Sequence, residues 1–272
     1  MKRIVIYIWV TVLLGGMVFF GLRSFGEAKQ YESATLVQVK MMSAKALATL
    51  QARSLMETLS FGLYKNKMRK KLEKIERSRQ LHRSKSMRWL YYSMGFLVLF
   101  LCSFWLLSAR EFTFFGALSA GIMLWLGLFS PILTVTIHKE IEYLGDVVLS
   151  FESKGILGSV EKLYAHGDMV IAGVILLFSV LIPLIKILSM MVVSLVMESR
   201  FAHGIVHFFK WIGKWSMLDV FVVATFLVYL STNKGDVSRA EVGVGLYFFL
   251  AYVLVSMLVS LSAEKMLKRV EG

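Results

Sequence analysis

Apolar residues run through this chain in long blocks, separated by short polar turns and by one long basic stretch. Six blocks are long enough to cross a hydrocarbon core as helices, at residues 4–22, 89–108, 112–137, 169–197, 215–231 and 242–262. A helix rising about 1.5 Å per residue needs roughly 20 apolar residues for a core of about 30 Å. The pattern predicts an all-α fold, a polytopic membrane helix bundle of about six transmembrane helices.

Between the first two blocks the period changes. In "ESATLVQVKMMSAKALATLQARSLMETL" the residues Leu36, Val39, Met42, Ala46 and Leu50 recur at spacings of three and four, in a segment rich in Ala, Leu, Met, Gln and Lys. That is the signature of an amphipathic helix. "SFGLY" interrupts it at Gly62, and "KNKMRKKLEKIERSRQLHRSKSMR" resumes with Met68, Leu72 and Ile75 on one side, leading into the second block. A basic extramembrane helical hairpin over 23–88 is expected. Ser108, Ala109, Arg110 and Glu111 alone separate the second and third blocks, which predicts a tight helical turn. In the stretch 138–168, "VVLSF" reads as a short strand and "GSVEKLYAHG" as an amphipathic helical turn.

Composition agrees with the membrane reading: 57% of residues are hydrophobic and mean hydropathy is +0.67, above the usual balance of a soluble domain. The charge is uneven. Residues 23–88 carry 16 Lys and Arg against 5 Asp and Glu, so this segment suits an anionic surface, either lipid headgroups or an acidic partner. No base-reading motif accompanies it, and nucleic acid is not expected as a partner. The lone Cys102 lies inside the second block, which removes disulfides and cysteine-ligated metals from consideration. No cofactor, metal centre or catalytic constellation is expected: the histidines His138, His166, His203 and His207 lack ligand company, and no nucleophile is paired with a base. Small residues at Gly26 and Ala28 stand where a signal peptide could be cut, but 19 apolar residues exceed a signal core. Residues 1–22 are therefore expected to stay as an anchor.

Ionisable groups inside a span cost several kcal/mol unless they face water or a partner, and mark candidate functional positions. Lys186 lies 12 residues before Glu198, about 18 Å along a helix. Asp219 lies 5 residues past Lys214, about 7–8 Å deep. Ser216, one turn before Asp219, and Thr225 beyond it extend a polar track; capping of a helix start would also account for Ser216 and Asp219. Pro131 and Pro183 are both expected inside spans, where they would free the carbonyls of Gly127 and Ser179. Pro183 three residues before Lys186 would put a kink beside a charge. A direct Lys186–Asp219 ion pair is disfavoured by the opposite lean of the two side chains, and connection through water or hydroxyls is expected instead. Gly116, Ala117, Ala120, Gly121, Ala172 and Gly173 are read as packing positions.

"GKWSMLDVFVVA" at 213–224, with "LFSPILT" at 128–134 and "GDMVIAGVILLFSVLIPLIKIL" at 167–188, resembles the paraquat-inducible protein A family of bacterial inner-membrane proteins. The resemblance implies one four-helix module over 112–264, preceded by an anchor (1–22), the hairpin (23–88) and an added span with its turn (89–111), and followed by a cytoplasmic tail (265–272). It places "WSMLD" at the cytoplasmic end of a helix, with Trp215 as interface anchor. Both termini are then cytoplasmic and the hairpin periplasmic, against a simple count of positive charges. It departs from the family in one respect, since larger members carry cysteine-rich zinc ribbons that one cysteine cannot build. The resemblance implies passage of phospholipid to or from a periplasmic mammalian-cell-entry (MCE) protein in an intermembrane lipid transport system, with Lys186, Asp219, Ser216, Thr225, Pro183, Pro131 and Ser179 along a lipid or proton path. The alternative from a different class is a non-transporting scaffold or envelope-stress sensor that recruits a partner through the basic hairpin.

Overall fold

The computed structural model of the protein describes residues 2–41, 67–141, 145–195 and 238–271. Five helices among them are long and apolar enough to cross a membrane: Arg3–Val39, Glu73–Trp105, Ala109–Phe129, Met169–Leu195 and Val244–Lys265. The block at 215–231 lies outside the described residues. The spanning body is thus the helical membrane bundle that the apolar pattern predicts.

Helix α1 (Lys2–Met41) runs unbroken for 40 residues, about 60 Å. Helix α2 (Lys67–Cys102) returns beside it for 36 residues, so each exceeds a bilayer core of about 30 Å roughly twofold. The span and the first arm of the hairpin are therefore one rod. Gly62 and most of the expected amphipathic segment lie outside the described residues. The two rods pair antiparallel along a seam spaced by fours and threes: Val10, Leu14, Met17, Gly21, Ser24 and Ala28 on α1, and Ser86, Leu90, Ser93, Leu97 and Phe100 on α2 are buried. That spacing is the antiparallel coiled-coil pattern.

The seam carries polar positions where α1 and α2 approach closely. Ser24 Oγ donates to Ser86 O and Ser86 Oγ donates to Ser24 O, both at 2.9 Å, and Ser93 Oγ donates to Met17 O at 3.0 Å. Farther along, His82 Nδ1 meets Glu27 Oε2 at 2.6 Å and Gln38 Nε2 donates to Glu76 Oε2 at 2.7 Å. Ser24, Ser86 and Ser93 each bond a carbonyl of the facing helix rather than one of their own, so they fix the register of the pair. A Cβ at Gly16 would meet the Phe96 ring at 2.5 Å, which shows how closely the rods pack there.

A short 3-10 turn at Ser103–Trp105 leads to α3 (Ala109–Phe129). Its start is fixed by a capping box, in which Ser108 Oγ accepts from Glu111 N–H and the Glu111 carboxylate accepts from Ser108 N–H. Its end corrects a sequence expectation. Ser130 N–H makes the last helical bond, to Leu126 O at 3.0 Å, and Pro131, which has no N–H, stands beyond the helix rather than inside a span. The apolar run then leaves the helix as strand β1 (Leu133–Ile141). Strand β2 (Gly145–Lys154), which contains the expected strand at 147–151, and strand β3 (Ser238–Val242) flank β1 in an antiparallel sheet of order β2-β1-β3.

Helix α4 (Ile156–Ala165) follows β2, and Gly167, at φ 92°, makes the left-handed turn into α5 (Met169–Leu176). A π-helical turn at Leu177–Leu181 joins α5 to α6 (Ile182–Leu195). The last helix, α7 (Val244–Glu271), leaves β3 and packs antiparallel on α3. One register serves both halves of this pairing: Gly116 abuts Val259 and Gly127 abuts Phe249 in the helices, while Leu133 pairs Val242 and Ile137 pairs Ser238 in the strands. At the joint, Gly245 N–H donates to Pro131 O at 2.9 Å and Gly243 N–H to Ile132 O at 2.8 Å. The bundle accordingly has a sheet face, where α1 and α2 project, and an opposite turn face around Tyr7, Ser108–Glu111 and Leu195.

Candidate functional site

The α5–α6 span holds the buried charge. Pro183 cannot donate to Ser179 O, and the chain accommodates this loss immediately before it with the wide turn, in which Ile182 N–H reaches back five residues to Leu177 O. The helix therefore continues, where Pro131 ends one. Pro183 is buried, and Lys186, three residues on, is 8% exposed although its neighbours Leu184, Ile185 and Leu188 face outward.

Lys186 Nζ donates to Ser256 Oγ on α7 at 3.4 Å, and that hydroxyl donates in turn to Val253 O at 3.0 Å. Ser256 supplies one of the lysine's contacts. The α3–α7 register puts buried Ser119 level with Ser256, and both are near the middle of α3 counted from its two ends. Toward the turn face the α3–α7 seam stays hydroxylated. Ser260 Oγ donates to Ser256 O at 2.9 Å, and Thr113 Oγ1 lies 3.4 Å from Ser262 Oγ. A cationic side chain thus sits at mid-bundle beside a helix irregularity and at the head of a line of hydroxyls.

The structure brings Lys186, Pro183 and Ser179 together on one span, with Ser179 inside the wide turn and half-buried. Pro131 is separate from them, at the joint between α3 and the sheet. Ser216, Asp219, Thr225 and Trp215 lie outside the described residues, as do His203 and His207. The packing positions divide: Gly116, Ala117, Ala120 and Ala172 are buried, whereas Gly173 is exposed with nothing within 4 Å of where its Cβ would stand. Ser256, Ser119 and Ser130 were not singled out by sequence. Ser130 Oγ is buried without a hydrogen-bond partner among the described residues, at the end of α3. Among the described residues no three His, Cys, Asp or Glu side chains gather into a metal-ligand group.

The sequence pattern of the family described as "Paraquat-inducible protein A" matches residues 111–269, which includes nearly all of α3, the sheet, the Lys186 span and nearly all of α7. A Haemophilus influenzae protein named "Probable intermembrane transport protein" is 28% identical over 109 residues, 38% of this chain and 26% of the relative. The "Lipophilic envelope-spanning tunnel protein A" of Escherichia coli is 27% identical over 100 residues, 35% of this chain and 23% of the relative. The matched part of this chain spans about a quarter of the length of these curated relatives. No solved structure matches. With more than half of its length matched, and with the apolar helices that a membrane protein of that kind needs, the chain belongs to the paraquat-inducible protein A family.

Proposed function

We propose that this protein is an inner-membrane component of an intermembrane lipid transport system, passing phospholipid to or from a periplasmic MCE-type partner. The observation that carries the reading is Lys186, a cation kept 8% exposed at the middle of a membrane bundle, beside a proline and a wide helical turn. Such a group is expensive in oil and is retained where it serves a polar ligand or an ion. Its ammonium would attract the lipid phosphate, the hydroxyls of Ser256 and Ser260 would extend the path, and the wide turn before Pro183 would let the span change shape around a headgroup. Asp219, Ser216 and Thr225 complete the proposed path from the neighbouring span, with Asp219 taking up a proton or setting the lysine's environment. Pro131 belongs to its sheet-face end. The printed names of the two relatives, intermembrane transport and an envelope-spanning tunnel, support the same class.

The test is photo-cross-linking from position 180, in the wide turn. Val180 packs against the core, so a photoreactive residue there faces the path and not only bulk lipid. It is expected to capture phosphate-labelled phospholipid, and Lys186→Met is expected to reduce the adduct at least about tenfold, the worth of one charge-assisted hydrogen bond. Equal capture with and without the lysine overturns the path.

The same reading places the projecting arms of α1 and α2 and the sheet in the periplasm. A cysteine at exposed Ser84, in a Cys102→Ser background, is expected to react with an impermeant maleimide added to intact spheroplasts. Reaction only after lysis inverts the topology and removes the periplasmic partner.

A further inference from the structure

On the turn face, away from Lys186, the first turns of α1 and α3 and Ser194 and Leu195 of α6 line a cleft of about 460 Å³. Its volume is that of a small-molecule site. Two guanidinium groups stand in it. Arg110 is held rigidly, with Nε donating to Ser194 O at 2.8 Å and Nη2 to Leu195 O at 3.2 Å, while Ser194 Oγ donates back to Arg110 O at 2.8 Å. This clasp orients the guanidinium plane and leaves its Nη1 for an incoming acceptor. Arg3 is exposed in the same cleft.

The one carboxylate in the cleft is already occupied. Glu111 Oε1 accepts from the Tyr7 hydroxyl, and Oε2 accepts from Ser108 N–H at 3.0 Å and Ser108 Oγ at 2.9 Å. Two positive groups therefore face one carboxylate, which caps the start of α3 and which Arg3 helps to hold ionised, so the cleft keeps one positive charge in excess. One turn deeper the lining becomes aromatic, with half-buried Phe114 and Phe115. Polar cations at the rim and rings below coincide with depth: Arg3 begins one membrane span and Arg110 is the second residue of another. The rim is thus at headgroup level and the floor at the top of the acyl chains.

We propose that this cleft binds an anionic phospholipid of the leaflet it faces, its phosphate on Arg3 and Arg110 and its glycerol and upper chains against Phe114 and Phe115. The site joins α1 to the α3 and α6 elements, and so links the N-terminal rod to the family module. It rests on the membrane spans and the cleft, not on the transport reading.

The test uses the full chain in nanodiscs of mixed phosphatidylglycerol and phosphatidylcholine, with bound lipids counted by native mass spectrometry. The wild type is expected to retain phosphatidylglycerol over phosphatidylcholine, and Arg3→Gln to weaken that retention about fivefold, the effect of one arginine near an anionic surface. Arg3 makes no hydrogen bond among the described residues, so this variant keeps the fold, and an unchanged melting temperature checks it. Millimolar inorganic phosphate is expected not to displace the lipid. Equal retention of the two lipids, no effect of Arg3→Gln, or displacement by inorganic phosphate each overturns the lipid assignment, the last in favour of a free-anion site.

Discussion

Replacing Lys186 by methionine is expected to leave the protein folded in the membrane and to abolish rescue of envelope integrity in a deletion strain. The two halves of this outcome have separate causes. Methionine keeps the length and most of the volume of the side chain, so the buried position beside Pro183 stays filled. It also removes a charge whose burial is costly, which offsets part of what the lost contacts of the ammonium contribute. What disappears is the ammonium that Ser256 contacts and that the proposed path needs. A charge-assisted hydrogen bond contributes about 1.5–3 kcal/mol, which corresponds to roughly 10- to 100-fold in binding. Lys186→Arg retains charge in a planar, wider group and is expected to restore part of the activity. Combining Lys186→Met with Asp219→Asn asks whether the two groups act as one unit: the double variant should lose no more than the worse single one. Full rescue by Lys186→Met would sink the path, and a variant that fails to accumulate would make the lysine a structural residue.

Lys186 was legible because an ionisable residue in an unbroken apolar run has no bland explanation in oil. Its partner was not. The last span contains Ser256, Ser260 and Ser262, and only the packing of α6 on α7 selects Ser256 as the one that meets Nζ. Hydroxyls are cheap enough along a membrane helix that sequence gives no reason to prefer one. The Asp219 part of the proposed path falls on residues outside those described.

The two prolines show where a local rule stops. Both remove a backbone donor, and from that alone both read as in-span kinks. Pro183 is embedded in "LIPLIKIL", where helix formers on both sides allow a wide turn to carry the helix onward. Pro131 is followed by "ILTVTI", in which apolar residues alternate with β-branched Thr over 133–137, a strand pattern. Its isoleucine, valine and leucine raise hydropathy as effectively as a span does, so the window at 112–137 ran past the helix end at Phe129. The sheet was hidden for the same reason, and because β3 pairs with a strand about a hundred residues earlier. The rods were half legible. Their helical periodicity could be read, but Ser24, Ser86 and Ser93 look like interruptions until the facing helix shows that they are its contact points.

A single methyl group at Gly127 is expected to destabilise the bundle by about 1–3 kcal/mol, although the same change in an open helix is favourable. Alanine exceeds glycine in helix propensity by about 1 kcal/mol, so Gly26→Ala and Gly95→Ala, where nothing lies within 4 Å of the added Cβ, should raise the melting temperature or leave it unchanged. At Gly127 the added Cβ would stand 2.8 Å from Phe249 N and 3.0 Å from its Cα. Backbone cannot rotate away as a side chain can, so α3 and α7 must separate, at the cost typical of overpacking. The glycine one-half of the helix earlier behaves differently. At Gly116 the clash is with Val259 Cγ2, at 2.6 Å, and Gly116→Ala should be relieved by Val259→Ala, whereas Phe249→Ala should not relieve Gly127→Ala. Thermal unfolding of the four glycine variants and the two double variants in detergent gives the comparison, and a Gly127→Ala protein as stable as Gly26→Ala would refute the close approach. Because α7 also holds Ser256 against Lys186, the same separation would draw the hydroxyl away from the ammonium. Gly127→Ala is therefore expected to lower lipid capture from position 180 while leaving every polar residue of the proposed path in the sequence, which would tie the mid-membrane site to the tightness of the helix pair behind it.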